Sequence, residues 1–326
     1  MKFRTEIDIA RWQSPLEYDH HIVCLGSCFA TNIAQRLHRQ RFKVVESPTG
    51  ILFNPASIAR SIEAMKRSVA GDSVVERDRM VQLDGRWLNY DFHSSVTGDA
   101  FESAYEAMSS ALVKGGKALR SCDLLVVTLG TAWCYEHNES GMVVANCHKQ
   151  PRQLFTRRLM TVAEVEEALD RIVDSVACRV LFTVSPVRHL GEGLEENSLS
   201  KALLRVAVAG ACAKHGERVG YFPSYEIMMD DLRDYRFYAS DMAHPTEQAV
   251  DYIADKFFEA ALSEGARSTM REVSKVVAAA EHRPFNPACE EYRVFCRKQL
   301  DAIDRLQCVD FSEERAYFER MLAENV

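Results

Sequence analysis

Short apolar runs alternating with amphipathic segments constrain this chain more than any other feature. Ile22–Leu25, Leu124–Leu129, Val180–Val184 and Val219–Phe222 are each too short for a typical helix and are rich in Val, Ile and Leu. Thr31–Gln40 follows the first run with helical spacing, and Phe101–Leu119, Val162–Val176 and Ser198–His215 precede the other three. Strands alternating with helices need crossover connections, which predicts an α/β fold with a parallel sheet covered on both faces. Trp133–Cys147, turning at Asn138–Gly141, reads as a β-hairpin inserted after the second strand, and Met80–Asn89, with Asp84-Gly85 at its centre, as another.

The last part of the chain reads as helix. One helix runs from after Pro245 to about Leu262, with Ser263-Glu264-Gly265 as its stop, and the next ends near His282, before Pro284 and Pro287. Cys289–Glu324 is helical again, with Tyr292, Phe295, Leu300, Ile303 and Leu306 as its apolar positions. The expected division is an α/β domain over residues 1–265 and a C-terminal helical extension over 266–326 packed on it. That extension either caps its own domain or serves as a dimerisation arm, so a homo-oligomer stays open.

Composition removes several classes. Forty Lys and Arg against 47 Asp and Glu leave a net charge of −7, the wrong sign for a nucleic-acid binder. The 10 cysteines include no Cys-x-x-Cys pair, and Cys147-His148 lacks partners at zinc-like spacing, so no metal is expected. No glycine-rich dinucleotide loop or Walker motif is present, so no cofactor is expected either. The first nine residues carry Glu6 and Asp8 and no apolar stretch, unlike a signal peptide, and no run is long enough to span a membrane. The expectation is a reduced, cytoplasmic protein.

Two segments carry chemistry. Gly26-Ser27-Cys28-Phe29-Ala30 stands between a strand and a helix, which puts the Ser27 hydroxyl at the carboxyl end of the sheet and at a helix N-terminus. The plain alternative is that Ser27 caps the helix. A rival nucleophile is Cys28, since a thiol beside a helix N-terminus is activated. Ser240-Asp241-Met242-Ala243-His244-Pro245 lies before the helix that follows Pro245, and its Asp-x-x-His spacing lets Asp241 orient His244 as a base. Here the alternative is a capping Asp beside a solvated His. Arg188 and His189 follow the third strand at the same end of the sheet, where a cationic pair suits a carboxylate or phosphate; a solvated loop is the alternative.

Gly26-Ser27-Cys28-Phe29-Ala30 is also the string that names the GSCFA family, and Asp241-Met242-Ala243-His244-Pro245 resembles the last block of SGNH/GDSL hydrolases. Ser47–Pro55, Thr128–Trp133, Val144–Lys149, Ser185–His189 and Ser200-Lys201 resemble further family blocks, in order, over roughly residues 20–260. The resemblance implies a three-layer, flavodoxin-like fold and a serine hydrolase (an esterase or deacylase) working through an acyl-enzyme. Ser27 would be the nucleophile, His244 the base and Asp241 its partner. The oxyanion hole would be formed by the N–H groups of Ser27 and Gly50. Gly130-Thr131-Ala132-Trp133 departs from the Gly-x-Asn-Asp of SGNH enzymes, so the hole either loses a donor, takes the Thr131 hydroxyl, or draws an amide from elsewhere, with Asn146 as the candidate. Substrate contacts are expected from Asn146, His148, Arg188 and His189, with a small or saccharide-like acyl ester as substrate. The same triad would serve an acyltransferase, and loss of the Asn also fits a binding module without chemistry.

Overall fold

The computed structural model describes residues 4–72, 74–287 and 289–323. Its elements run β1 (His21–Gly26), α1 (Cys28–Arg39), β2 (Lys43–Glu46), α2 (Pro55–Ser68), then β3 (Met80–Leu83) and β4 (Arg86–Asn89). α3 (Phe101–Ser121) leads into β5 (Leu124–Leu129), followed by β6 (Trp133–His137), β7 (Met142–Val144) and β8 (Phe155–Leu159). α4 (Val162–Ser175), β9 (Arg179–Val184), α5 (Leu194–His215) and β10 (Val219–Phe222) complete the alternation. A short turn, α6 (Ser224–Glu226), precedes α7 (Glu247–Ala261), α8 (Glu264–Glu281), α9 (Glu290–Arg305) and α10 (Ser312–Ala323).

The chain forms two compact units. The first holds residues 21–34 and 45–253 with the described residues up to 8. Its parallel sheet belongs to the order β10-β9-β5-β1-β2, the strand order of flavodoxin-like doubly wound folds. Alternate residues of its strands, among them Val23, Leu25, Leu125, Val127, Phe182 and Val184, share one core with Ile58 and Ile62 of α2, Met108 of α3 and Leu169 of α4. Each such side chain stabilises the fold by about 1.5–3 kcal/mol on full burial. Register aligns the carboxyl ends, with Gly26 opposite Thr128 and Thr128 opposite Thr183.

Besides the short α6, three elements go beyond the sequence expectation. α2 is capped by Asn54, whose Oδ1 accepts from Ser57 N–H at 2.8 Å, and starts on Pro55. β2 is a four-residue strand. β8 turns the expected hairpin into a three-stranded sheet, ordered β7-β6-β8.

The second unit comprises residues 9–20, 35–44 and 254 onward, so it gathers two early segments as well as the helices beyond 266. Tyr18 stacks on Phe42 at 4.2 Å, and Arg41 Nε donates to buried Glu314 at 2.8 Å. α7 ends at Ala261, next to the expected stop, but Glu264 and Gly265 already belong to the following helix. Ser263 Oγ accepts from Ala266 N–H at 2.9 Å and so opens α8, which outweighs the helix-breaking tendency of Gly265. The Cys289–Glu324 stretch breaks into α9 and α10 around buried Val309 and Phe311, and Glu324 lies outside the described residues. Among the described residues no helix is long and apolar enough to cross a membrane.

Gly26 ends β1 with φ at +121°, and a Cβ there would stand 2.1 Å from the carbonyl oxygen of Thr128. Gly26→Ala is therefore expected to cost about 3 kcal/mol or more from strain and overpacking. Urea denaturation measures this. A midpoint equal to the parent's would show that the turn relaxes freely.

Candidate functional site

Ser27 follows β1 and precedes the first residue of α1, the position of an N-cap. It does not cap. Its hydroxyl is buried, with the residue 1% exposed, and has no hydrogen-bond partner. A buried hydroxyl without a protein partner costs about 1–3 kcal/mol.

The two N–H groups assigned to an oxyanion are spent inside the fold. Ser27 N–H donates to Thr128 O at 2.9 Å, extending the β1–β5 ladder. Gly50 N–H donates to Ser47 O at 2.8 Å and closes a turn in which Gly50 has φ +79°. Thr131 is also engaged. Its N–H donates to Phe53 O, and its hydroxyl accepts from Trp133 N–H at 3.1 Å and bonds Ser200 Oγ at 3.0 Å.

Asp241 and His244 do come together. Asp241 Oδ1 accepts from the N–H groups of Ala243 (2.9 Å) and His244 (3.0 Å), and Oδ2 lies 2.6 Å from His244 Nδ1. These main-chain donors, followed by the imidazole, hold the Asp241 carboxyl down to about 2. A charged carboxylate only accepts, so Nδ1 carries the proton and Nε2 is the basic nitrogen. Met242, at φ +56°, sharpens the turn that lets both side chains meet. Arg188 N–H donates to Ala243 O at 3.1 Å and ties this turn to the loop after β9. Ser27 Oγ is not hydrogen-bonded to His244 here.

Cys28 is a poor nucleophile in this setting. Burial pushes its thiol up and outweighs the lowering by its own N–H, by Lys201 and by the N–H of Phe29. Cys28→Ser is expected to leave most ester turnover in place, read by p-nitrophenyl acetate hydrolysis. A dead, folded Cys28→Ser beside an active Ser27→Ala would move the role to sulfur.

A cleft of about 440 Å³ gathers Phe53, Asn54, Thr131, Trp133, Tyr135, Asn146, Gln150, Arg152, Phe155 and His189 on its walls. Asn146 and His189 stand on the wall of this one cavity, whose lining does not include Ser27, Asp241 or His244. His189 is edge-on to Phe53 at 5.6 Å, and burial, with Lys201 and His244 nearby, lowers its imidazole to about 4, so it is neutral near pH 7. His148 is corrected to a structural role. It is 3% exposed, Nε2–H donates to Asn89 O at 2.7 Å, and it does not line the cleft. Arg188 stacks on Tyr238 at 3.9 Å and lines a separate cavity of about 280 Å³.

Lys201, which the sequence offers only as part of the Ser200-Lys201 block, is a buried cation at this end of the sheet. It lies on the buried stripe of α5 with Asn197, Ser200, Leu204, Ala207, Val208 and Ala211. A lysine at helical spacing within such a stripe is the signal that was available. Among the described residues no group of three or more His, Cys, Asp or Glu side chains is placed to hold a metal ion.

This is an α/β protein with a serine hydroxyl and an Asp–His couple in its sheet-bearing unit. The sequence matches the GSCFA family over residues 21–257 and the C-terminal domain of GSCFA domain proteins over residues 273–324. The chain belongs to the GSCFA family. No curated protein matches it.

Proposed function

We propose that the chain is a serine hydrolase that cleaves an acyl ester, with Ser27 as nucleophile, His244 as base and Asp241 as its orienting partner. The observation that carries this reading is the buried, unpartnered Ser27 hydroxyl at a helix start that it does not cap. The Asp241–His244 pair supports it by leaving Nε2 as the proton acceptor. The resemblance of the terminal block to SGNH/GDSL hydrolases points the same way.

In this mechanism His244, half exposed, swings to bring Nε2 onto Ser27 Oγ when substrate enters. The hydroxyl proton passes to Nε2 as the Oγ–carbon bond forms. The imidazolium then protonates the leaving alcohol, and a water activated by the same nitrogen releases the acid. His189, neutral on the cleft wall, leaves the proton traffic to His244. On the cleft wall Trp133 and Tyr135 offer ring surfaces and Asn54, Asn146 and Gln150 offer amides, which suits a saccharide-like group, although Ser27, Asp241 and His244 are not among its lining residues.

Treatment of the full chain with a fluorophosphonate probe tests the reading. Covalent modification at Ser27 is the expected result. A folded chain that stays unmodified, yet binds a ligand in the cleft, would make it a binding module. If an alcohol acceptor captures the acyl group faster than water, the same triad is that of an acyltransferase.

A further inference from the structure

Lys201 is 1% exposed, and its Nζ donates to Gly130 O at 2.7 Å and Ser185 O at 2.8 Å. These carbonyls stand just past the ends of β5 and β9, at the edge of the sheet where β1 delivers Ser27. The titratable groups that face it are Cys28 from α1, His189 from the loop after β9, and Tyr225 of α6, whose ring centre is 5.9 Å from Nζ. None is a carboxylate. A buried ammonium without a counter-ion is costly, and a neutral donor would hold two carbonyls at less cost. The charge itself therefore needs a use. The site has a need for it, because the N–H groups of Ser27 and Gly50 already donate to protein carbonyls.

We propose that Lys201 is an electrostatic positioning residue of the Ser27 site. Its ammonium ties the ends of β5 and β9 together and supplies the positive potential that stabilises the negative charge formed when Ser27 attacks. This rests on Ser27 being the nucleophile. During attack the Ser27 proton goes to His244 Nε2, the Oγ bond forms, and the pair displaced from the C=O bond becomes the oxyanion. Lys201 keeps its proton throughout and touches no reacting atom. Burial brings its ammonium down to about 7, with Cys28 acting in the opposite sense. It is charged below that value and neutral above it, so its help fades as pH rises.

The test is the rate of fluorophosphonate modification of Ser27 in the full chain, followed by intact mass between about pH 6 and pH 9. The parent is expected to slow above about pH 7. Lys201→Arg, charged throughout, is expected to lose that fall. Lys201→Met is expected to be at least about tenfold slower at pH 6 while keeping a cooperative thermal melt. A purely structural lysine would not give a pH profile that Arg flattens. Lys201→Met labelled at the parental rate, or a parental fall that survives in Lys201→Met, overturns the proposal. Should Lys201→Arg fail to fold, the parental profile and the Lys201→Met rate still decide. A folded parent that is never labelled at Ser27 removes the hydrolase reading and this proposal with it, whereas a labelled parent with an indifferent Lys201→Met removes this proposal alone.

Discussion

Ser27→Ala is expected to abolish fluorophosphonate labelling and lower ester turnover by about 10⁴–10⁶-fold, while making the fold slightly more stable. The two effects have opposite signs, which gives the experiment its force. Ser27 Oγ is buried and bonds to nothing, so its removal deletes an unsatisfied polar atom worth about 1–3 kcal/mol. A serine that capped α1 would behave the other way, losing about 1 kcal/mol on truncation. Chemical denaturation and p-nitrophenyl acetate turnover on the same preparation separate the cases. A destabilised variant with full turnover would return Ser27 to a structural cap and end the hydrolase reading.

The sheet was legible because four of its five strands are apolar on both faces, which few other elements of that length can be. β2 gives little signal in the sequence because Lys43 and Glu46 bracket only two valines. β8 gives little because Arg157 and Arg158 break its alternation. In the fold Arg158 bonds Glu136 at 2.7 Å, and the Arg157 guanidinium lies 4.0 Å from the Trp133 ring, so charged side chains hold the strand in place. α2 has a readable start in Asn54-Pro55 and a stripe of Ile58, Ile62 and Met65. At the site, spacing sufficed for Asp241 and His244, since a three-residue separation on one turn leaves few alternatives. The oxyanion donors did not follow from sequence. Whether an N–H is free depends on which carbonyl meets it, and for Ser27 that is Thr128, about a hundred positions away in the chain. His148 and Arg188 carried suitable chemistry, but neighbouring side chains on irregular backbone face different ways. Arg188 turned to the tyrosines while His189 turned to the cleft.

The second large effect belongs to the Asp–His pair. Asp241→Asn is expected to lower turnover by about 10⁴-fold, because an amide that presents N–H to Nδ1 forces the proton onto Nε2, where the base is needed. His244→Ala should match Ser27→Ala, and the double variant should be no worse than either, since the residues act as a unit. The Asn replacement keeps an oxygen for the N–H groups of Ala243 and His244, so the turn should persist and the loss should fall on turnover rather than folding. The pH dependence adds a check. The Asp241 carboxyl sits well below its usual value, at about 2, so what its charge gives the folded turn is present above the unfolded value near 4 and is lost as pH falls toward 2. Between about pH 5 and pH 8 the parent-to-Asn ratio of turnover should therefore be free of any Asp241 titration. Rates measured across that window, with a thermal melt at each pH, decide it. Parental turnover in folded Asp241→Asn would show that His244 needs no orienting partner, and His244→Ala with parental turnover would place the base elsewhere.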